Sequence, residues 1–192
     1  MYKKITSPLD ENMLDSLRAG DYVNISGIMY TARDAAHKRM WEALNRGEKL
    51  PFDIKGQIIY YAGPCPAKPG SIVGPIGPTT SGRMDKYAPL LIQHGLRGMI
   101  GKGDRDIKVV EAMVENKAVY FAAIGGLGAY IANSIKKREL VAYEDLGTEA
   151  LTRLTVIDFP AIVAIDCKGN NLYKTESDKY KNKYSDVISS LR

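Results

Sequence analysis

Apolar and polar side chains alternate along residues 21–29, a pattern that predicts a half-buried β-strand. Residues 56–62 are mostly apolar and predict a second, more deeply buried strand. Between them, apolar side chains recur every fourth position along residues 36–44, which predicts a helix. Thr31, followed three residues later by Asp34, resembles a capping box at the start of this helix, and Gly47 marks its expected C-terminal stop.

The same interleaving of patterns continues along the chain. Further helices are predicted at residues 83–94, 106–116 and 129–136, and further strands at residues 97–100, 118–123, 154–158 and 161–166. Ile107, Val110 and Val114 form the expected apolar stripe of the helix at 106–116. Pro89 must either open a second helix or kink the first, and Pro160 is expected to separate the last two strands. Strand lengths and Pro/Gly breaks do not match a regular βαβ series, so we predict an α/β fold with a layered mixed sheet.

The chain length and the concentration of Gly and Pro in one stretch favour a single domain covering residues 1–192. Residues 63–78 are rich in Gly and Pro and predict a long ordered loop. Residues 174–192 alternate Lys, Tyr, Asp and Ser, so we expect this tail to be peripheral, as either a surface helix or a frayed end.

Composition narrows the class of protein. Hydrophobic residues make up 45% of the chain and charged residues 26%, which is typical of a globular protein. The net charge of +5 is modest and the basic residues are spread among acids, so no nucleic-acid partner is expected. No run of about 18 apolar residues occurs and the N-terminus lacks an apolar leader, so we expect a cytoplasmic protein without membrane contact.

The two cysteines, Cys65 and Cys167, are far apart in sequence. They form no disulfide framework, and they are too few to hold a zinc or iron–sulfur centre, so no metal ligands are predicted in this chain. Cys65 has no histidine near it in sequence to activate its thiol, so it is not expected to act as a nucleophile.

The densest chemical signal is the run of residues 77–85. Its adjacent hydroxyls (Thr79, Thr80 and Ser81) precede Arg83 and Asp85 at a predicted helix start. Unpaired N–H groups at a helix start bind anions, and Arg83 would add a bidentate grip on a carboxylate. The alternative is that these hydroxyls only cap a helix.

A second constellation contains Arg33, Asp34 and His37. Arg33 and His37 are four residues apart and share a helix face, and Asp34 could orient either side chain. If both cations approached one site they would repel, so His37 would then be neutral or an anion would lie between them. The alternative is an ordinary surface pair.

Lys102 lies between Gly101 and Gly103, directly after a predicted strand. This placement gives the ammonium group room to reach a ligand. The pattern is not a phosphate-binding Walker loop, because the Gly-x-x-x-x-Gly-Lys-Ser/Thr spacing is absent. The alternative is a tight turn with a solvated lysine.

The order and spacing of these segments resemble the β subunit, or C-terminal domain, of class I fumarases and L-tartrate dehydratases. The resemblance extends from about residue 22 to residue 173 and is carried by the runs 31–37 (TARDAAH), 61–66 (YAGPCP), 77–85 (GPTTSGRMD) and 101–103 (GKG). It implies a fold of the swivelling β/β/α type and a hydro-lyase that adds water to a dicarboxylate or removes it.

The resemblance also implies roles for individual residues. Arg33, Arg83 and Lys102 would clamp the substrate carboxylates, and Thr79 would be the base. Asp34, His37, Thr80, Ser81 and Asp85 would support them. A [4Fe-4S] cluster would be bound by a partner α subunit and not by this chain.

Reversible hydration of fumarate to L-malate is therefore the leading functional hypothesis. The alternatives are the β subunit of an L-tartrate dehydratase and a non-catalytic dicarboxylate-binding or assembly module. The hypothesis requires an α subunit and predicts an exposed apolar patch where that subunit docks, which would also offer a homodimer contact in isolation.

Overall fold

The computed structural model describes residues 2–183. Its seven strands are β1 (Lys3–Ser7), β2 (Tyr22–Thr31), β3 (Ile58–Tyr60), β4 (Gly98–Gly101), β5 (Val119–Ala122), β6 (Ile135–Ala142) and β7 (Leu151–Ile165). Its α-helices are α1 (Glu11–Ser16), α2 (Asp34–Asn45), α3 (Ala88–Gln93), α4 (Ile107–Glu115), α5 (Gly128–Ala132) and α6 (Leu172–Lys183). Short 3₁₀ helices cover Ser81–Met84 and Glu144–Glu149.

The strands form one mixed sheet that closes on itself. β1 to β5 pair in parallel, in chain order, and β7 runs antiparallel to β5 and also to β2. The strands β2, β3, β4, β5 and β7 therefore make a closed ring. β1 extends the sheet beside the first half of β2, and β6 pairs with the first half of β7.

Because successive side chains of a strand point to opposite faces of the sheet, one hydrophobic core forms inside the ring and another outside it. Ile58 and Tyr60 face the enclosed core, whereas Ile59 and Tyr61 face α2, α3 and α4. The helices α2, α3 and α4 thus form a layer on the outer side of the sheet. This confirms the predicted layered mixed-sheet α/β fold.

The strand on either side of Pro160 is continuous, which corrects the prediction of two separate strands. Pro160 lies opposite Asn24 of β2, and Asp158 adopts a positive φ of 51°. The pairing register shifts nearby, so a bulge absorbs the irregularity and β7 continues through it.

Two helix predictions also differ from the structure. The helix expected over residues 129–136 ends at Ala132, and Ile135 already begins β6. In α4, Val109 and Met113 are fully buried, while Ile107 and Val114 on the expected apolar stripe are 54% and 44% exposed. Pro89 opens the separate helix α3, as one of the two alternatives predicted.

The predicted loop over residues 63–78 contains no helix or strand. The tail begins as the exposed helix α6, and the part of the predicted tail beyond residue 183 lies outside the described residues. No helix within residues 2–183 has the length and apolar character needed to cross a membrane.

Candidate functional site

The carboxyl ends of parallel strands gather the predicted site residues at one edge of the sheet. β2 leads into Arg33, and β4 leads into Lys102. The Thr79 segment lies between β3 and β4: the Thr79 N–H donates to the Tyr61 carbonyl at 2.7 Å, and the Lys102 N–H donates to the Thr79 carbonyl at 3.2 Å. Ligands of α/β folds commonly bind beyond the carboxyl ends of parallel strands.

Each arginine of this edge is held by an acid. The Arg33 guanidinium lies 3.1 Å from the Glu149 carboxylate, and Arg83 forms an ion pair with Asp34. Because Asp34 directly follows Arg33, its ion pair anchors Arg83 at the first turn of α2. Asp34 thus orients Arg83, rather than Arg33 or His37 as predicted.

Lys102 presents an exposed side chain that forms no ion pair with any residue from 2 to 183. Its backbone is fixed on both sides, because the Ser81 N–H also donates to the Lys102 carbonyl at 2.9 Å. The edge therefore contains two arginines that are neutralised in part by acids, and one free ammonium group.

Gly63 and Gly101 leave room for the side chains and loops that pack against them at this edge. A Cβ on Gly63 would lie 3.2 Å from Arg33 Cδ and 2.8 Å from the Thr148 carbonyl oxygen. A Cβ on Gly101 would lie only 2.0 Å from Ser81 Oγ. Any larger residue at either position would displace the side chain or the loop beside it.

The three adjacent hydroxyls have different surroundings, and the anion receptor at this segment stays a prediction. The amides of Thr79 and Ser81 are already bonded, and Ser81 Oγ is buried 2.8 Å from Tyr120 Oη. Thr80 is exposed and makes no capping hydrogen bond, so the capping alternative is wrong for it. Thr79 is half-buried at the edge.

The start of α2 is capped by Glu149 and not by Thr31. Thr31 is the last residue of β2, and its hydroxyl bonds to that of Thr152. Glu149 Oε2 accepts from the Ala35 N–H at 3.3 Å, which places a negative charge at the positive end of the helix. Glu149 is 114 residues from Ala35, so no local pattern could have predicted this contact.

His37 is buried behind the edge. Its Nδ1 lies 2.9 Å from the Arg33 carbonyl, and its ring meets the Tyr61 ring edge-on at 5.0 Å. Burial lowers the pKa of His37 to about 4, and the nearby Arg105 acts in the same direction. His37 is therefore neutral near pH 7, the first of the two states predicted for it.

The buried His37 predicts an acid-labile contribution to stability. Between pH 4 and 6.5 the unfolded chain binds a proton at His37 that the folded chain does not bind. The free energy of unfolding should therefore fall by up to about 3 kcal/mol as the pH is lowered from 6.5 to 4. Urea unfolding of the wild type and of His37→Asn across this range measures the difference. An equal pH dependence in both proteins would contradict the assignment.

Arg105 is a residue of this region that the sequence reading missed. Its side chain is fully buried, and its Nε donates to Asp85 Oδ1 at 2.6 Å. Its guanidinium lies 5.3 Å from the Tyr61 ring centroid and 5.0 Å from that of Tyr120. Asp85, predicted as a supporting residue, is thus bound to a buried cation. Acids on both sides of Arg105 in the sequence were the available signal of pairing.

Unpaired buried polar atoms concentrate at the first turn of α2. Five buried side-chain nitrogen and oxygen atoms within residues 2–183 have no hydrogen-bond partner, and three of them are Arg33 Nε, Asp34 Oδ1 and His37 Nε2. Buried polar groups are normally satisfied, and an unsatisfied one costs about 1–3 kcal/mol. Such a concentration is typical of a binding site.

The described residues do not fit an iron–sulfur cluster. No group of three or more His, Cys, Asp or Glu side chains between residues 2 and 183 could hold a metal ion. Cys65 is exposed and Cys167 is buried, and neither forms a disulfide. The side chains of the edge can instead bind carboxylates through their cations and offer a hydroxyl at Thr79.

An apolar groove adjoins the Lys102 end of the edge. A Cβ on Gly125 would lie 4.0 Å from Lys102 Cδ. Ile124 and Leu127, on either side of this glycine in the sequence, line the groove. Tyr22 and Tyr130 also line the groove and are 53% and 62% exposed. This surface therefore exposes apolar side chains, and its use as the predicted docking patch for an α subunit stays a prediction.

Comparison with known proteins accounts for this combination of fold and edge. The family model of the fumarase C-terminus matches residues 4–176. The chain belongs to the fumarase C-terminus family. The motifs that carried the resemblance in the sequence lie within the matched residues.

Members of the fumarase C-terminus family differ in how much sequence they contain beyond the part shared with this chain. An anaerobic class I fumarate hydratase of Escherichia coli is 42% identical over 154 residues, which are 79% of this chain and 28% of that protein. Fumarate hydratase 2 of Leishmania major is 39% identical over 86% of this chain and 30% of its own length. The chain spans less than a third of these relatives.

A relative from Methanocaldococcus jannaschii has the same extent as this chain. It bears the name L(+)-tartrate dehydratase subunit beta and is 38% identical over 186 residues, 94% of this chain and 95% of the relative. Within the fumarase C-terminus family, the shared part thus occurs both inside a long chain and as a separate subunit.

Proposed function

We propose that this chain is the substrate-binding β subunit of an iron–sulfur-dependent hydro-lyase that hydrates fumarate reversibly to L-malate. The observation that carries the proposal is the placement of Arg33, Arg83, Thr79 and Lys102 at one edge of a fumarase C-terminus domain. Class I fumarate hydratases are among its relatives.

The cations suit a small diacid. The guanidinium forks of Arg33 and Arg83 match planar carboxylates, and the Lys102 ammonium adds a compact charge. Their acidic partners, Glu149 and Asp34, hold the forks in place before substrate binds. These cations also stabilise the negative charge that develops on a carboxylate when the adjacent carbon loses its proton.

Thr79 is the candidate base of the reaction. A threonine hydroxyl is a weak base at its ordinary pKa, so it needs neighbouring positive charge to hold the alkoxide form. The Lys102 N–H donates directly to the Thr79 carbonyl, so the chain holds this lysine beside Thr79.

The cluster is assigned to a partner α subunit. This chain offers no ligand set for it within residues 2–183, and the archaeal relative of equal length is named as a β subunit. The apolar groove beside Lys102 gives such a partner a surface to pack against. In this assignment, the chain binds and orients the dicarboxylate while the partner supplies the cluster.

Turnover of L-tartrate is the second candidate, because the relative that matches over nearly its whole length is named for that substrate. Tartrate and malate differ by one hydroxyl and would use the same carboxylate clamp. A non-catalytic dicarboxylate-binding module is the third, and it differs from both enzymes in lacking turnover.

Anaerobic co-expression with a cluster-bearing α subunit tests the proposal. We expect a complex that interconverts fumarate and malate, while either subunit alone is inactive. Turnover of tartrate alone would select the second candidate. A complex with an intact cluster that binds dicarboxylates but converts none of the three would overturn both enzyme assignments.

A further inference from the structure

The strongest feature outside the proposed contacts with substrate is the buried ion pair of Arg105 and Asp85. The Arg105 side chain is fully buried and that of Asp85 is 14% exposed. Both carboxylate oxygens are used: Oδ1 accepts from Arg105 Nε at 2.6 Å, and Oδ2 accepts from the Asp106 N–H at 2.7 Å. Asp85 is therefore fixed in two directions.

This pair joins the two loops, residues 79–85 and 101–106, that contain Arg83 and Lys102 of the proposed clamp. Asp85 follows Arg83 by two residues, and Arg105 follows Lys102 by three. A second bridge runs in parallel: Ser81 Oγ lies 2.8 Å from Tyr120 Oη, which donates to the Gly103 carbonyl at 2.8 Å.

Arg105 also connects to the rest of the edge through Tyr61. Its Nη2 lies 3.5 Å from Tyr61 Oη, and the Tyr61 carbonyl accepts from the Thr79 N–H. The Tyr61 ring in turn contacts His37, whose Nδ1 is bonded to the Arg33 carbonyl. One buried guanidinium thus lies at the centre of contacts that lead to all four proposed site residues.

We propose that Arg105 and Asp85 are positioning residues that set the separation of Arg83 and Lys102, and thereby the length of the diacid that the edge accepts. The inference rests on the proposed function and deepens it. Stability alone is a poor reason for the pair, because apolar residues of similar volume often replace a buried ion pair without loss. By contrast, the several directed hydrogen bonds of this ion pair can hold the two loops in one relative position, which apolar side chains cannot do.

Arg105→Lys and Asp85→Asn in the assembled complex test the proposal. Lysine keeps the charge but loses the fork, and asparagine keeps the volume but loses the charge. Phe159→Leu, in the core enclosed by the ring, serves as a control that reduces packing away from both loops. Amide hydrogen exchange of residues 79–85 and 101–106 is measured together with kcat, KM and inhibition by a saturated dicarboxylate and by a monocarboxylate.

We expect both variants to raise exchange in the two loops and to lower kcat/KM about 10²-fold, as misplacement by about 1 Å does. Affinity for the dicarboxylate should fall more than that for the monocarboxylate, because only the diacid needs both cations at the correct separation. Phe159→Leu should lower the melting temperature without changing this ratio.

An unchanged ratio of the two affinities in both variants, or the same ratio change in Phe159→Leu, would overturn the positioning role. A wild-type complex without turnover would instead overturn the proposed function. Exchange and the two affinities would still decide the role of Arg105 and Asp85 in that case.

Discussion

Arg83→Ala is expected to lower kcat/KM of the reconstituted complex for malate by about 10³-fold, with the complex still assembled. Truncating one partner of a buried, hydrogen-bonded charge pair costs roughly 2–5 kcal/mol, and a change of about 10³-fold lies within that range. The variant removes a carboxylate ligand and leaves the Asp34 carboxylate without its cation. The exposed position of Arg83 makes a large loss of folding stability unexpected. Steady-state kinetics and gel filtration measure the two effects.

Arg46→Ala is the matched control for Arg83. Arg46 is also an exposed arginine paired with an acid, Glu48, but it lies at the opposite end of α2. It should retain the wild-type rate. Arg83→Lys should keep part of the activity, because it preserves the charge without the bidentate fork. Wild-type turnover in Arg83→Ala would remove this residue from the clamp.

Thr79→Val is expected to lower kcat by about 10² to 10⁴, the usual contribution of a positioned proton-transfer group. The Thr79 backbone is held by hydrogen bonds from its N–H to Tyr61 and from Lys102 to its carbonyl. Valine has nearly the same shape, so the substitution removes the hydroxyl while the segment stays in place. Rapid-quench or steady-state assays on the complex measure kcat.

Thr79→Ser separates the hydroxyl from the methyl group. Serine retains the reacting oxygen, so this variant should remain within about tenfold of the wild type. A near-normal rate in Thr79→Val would exclude the hydroxyl as the base. Equal losses in both variants would point to the methyl group and to packing, which the base assignment does not predict.

The sequence predicted those parts of the fold that local patterns determine. The helix α2 and its stop before Gly47, which has a φ of 73°, follow from helical spacing and glycine chemistry. Separate strands around Pro160 were predicted because proline usually interrupts a ladder, yet β2 and a bulge stabilise one strand through it. β6 was missed because residues 135–142 alternate weakly and only Ile135 among them is buried.

The candidate site was predictable where it follows strand ends, and unpredictable where it depends on distant contacts. Lys102 was marked by flanking glycines directly after a strand, and the structure places it at the sheet edge. Glu149 and Arg105 were missed, since their partners Arg33 and Asp85 are 116 and 20 residues away in the chain. The inward direction of Ser81 depends on Tyr120 in the same way.

The closure of the ring by β7 has a consequence for biosynthesis. β7 supplies a neighbour to β2, β5 and β6, and the paired residues Thr31 and Thr152 are 121 positions apart. A nascent chain that has not yet reached Leu151 leaves β2 and β5 each without a neighbour on one side, and the interior of the ring open to water. Folding to completion on the ribosome must therefore wait until β7 has been synthesised, and pairing over such sequence distances is slow.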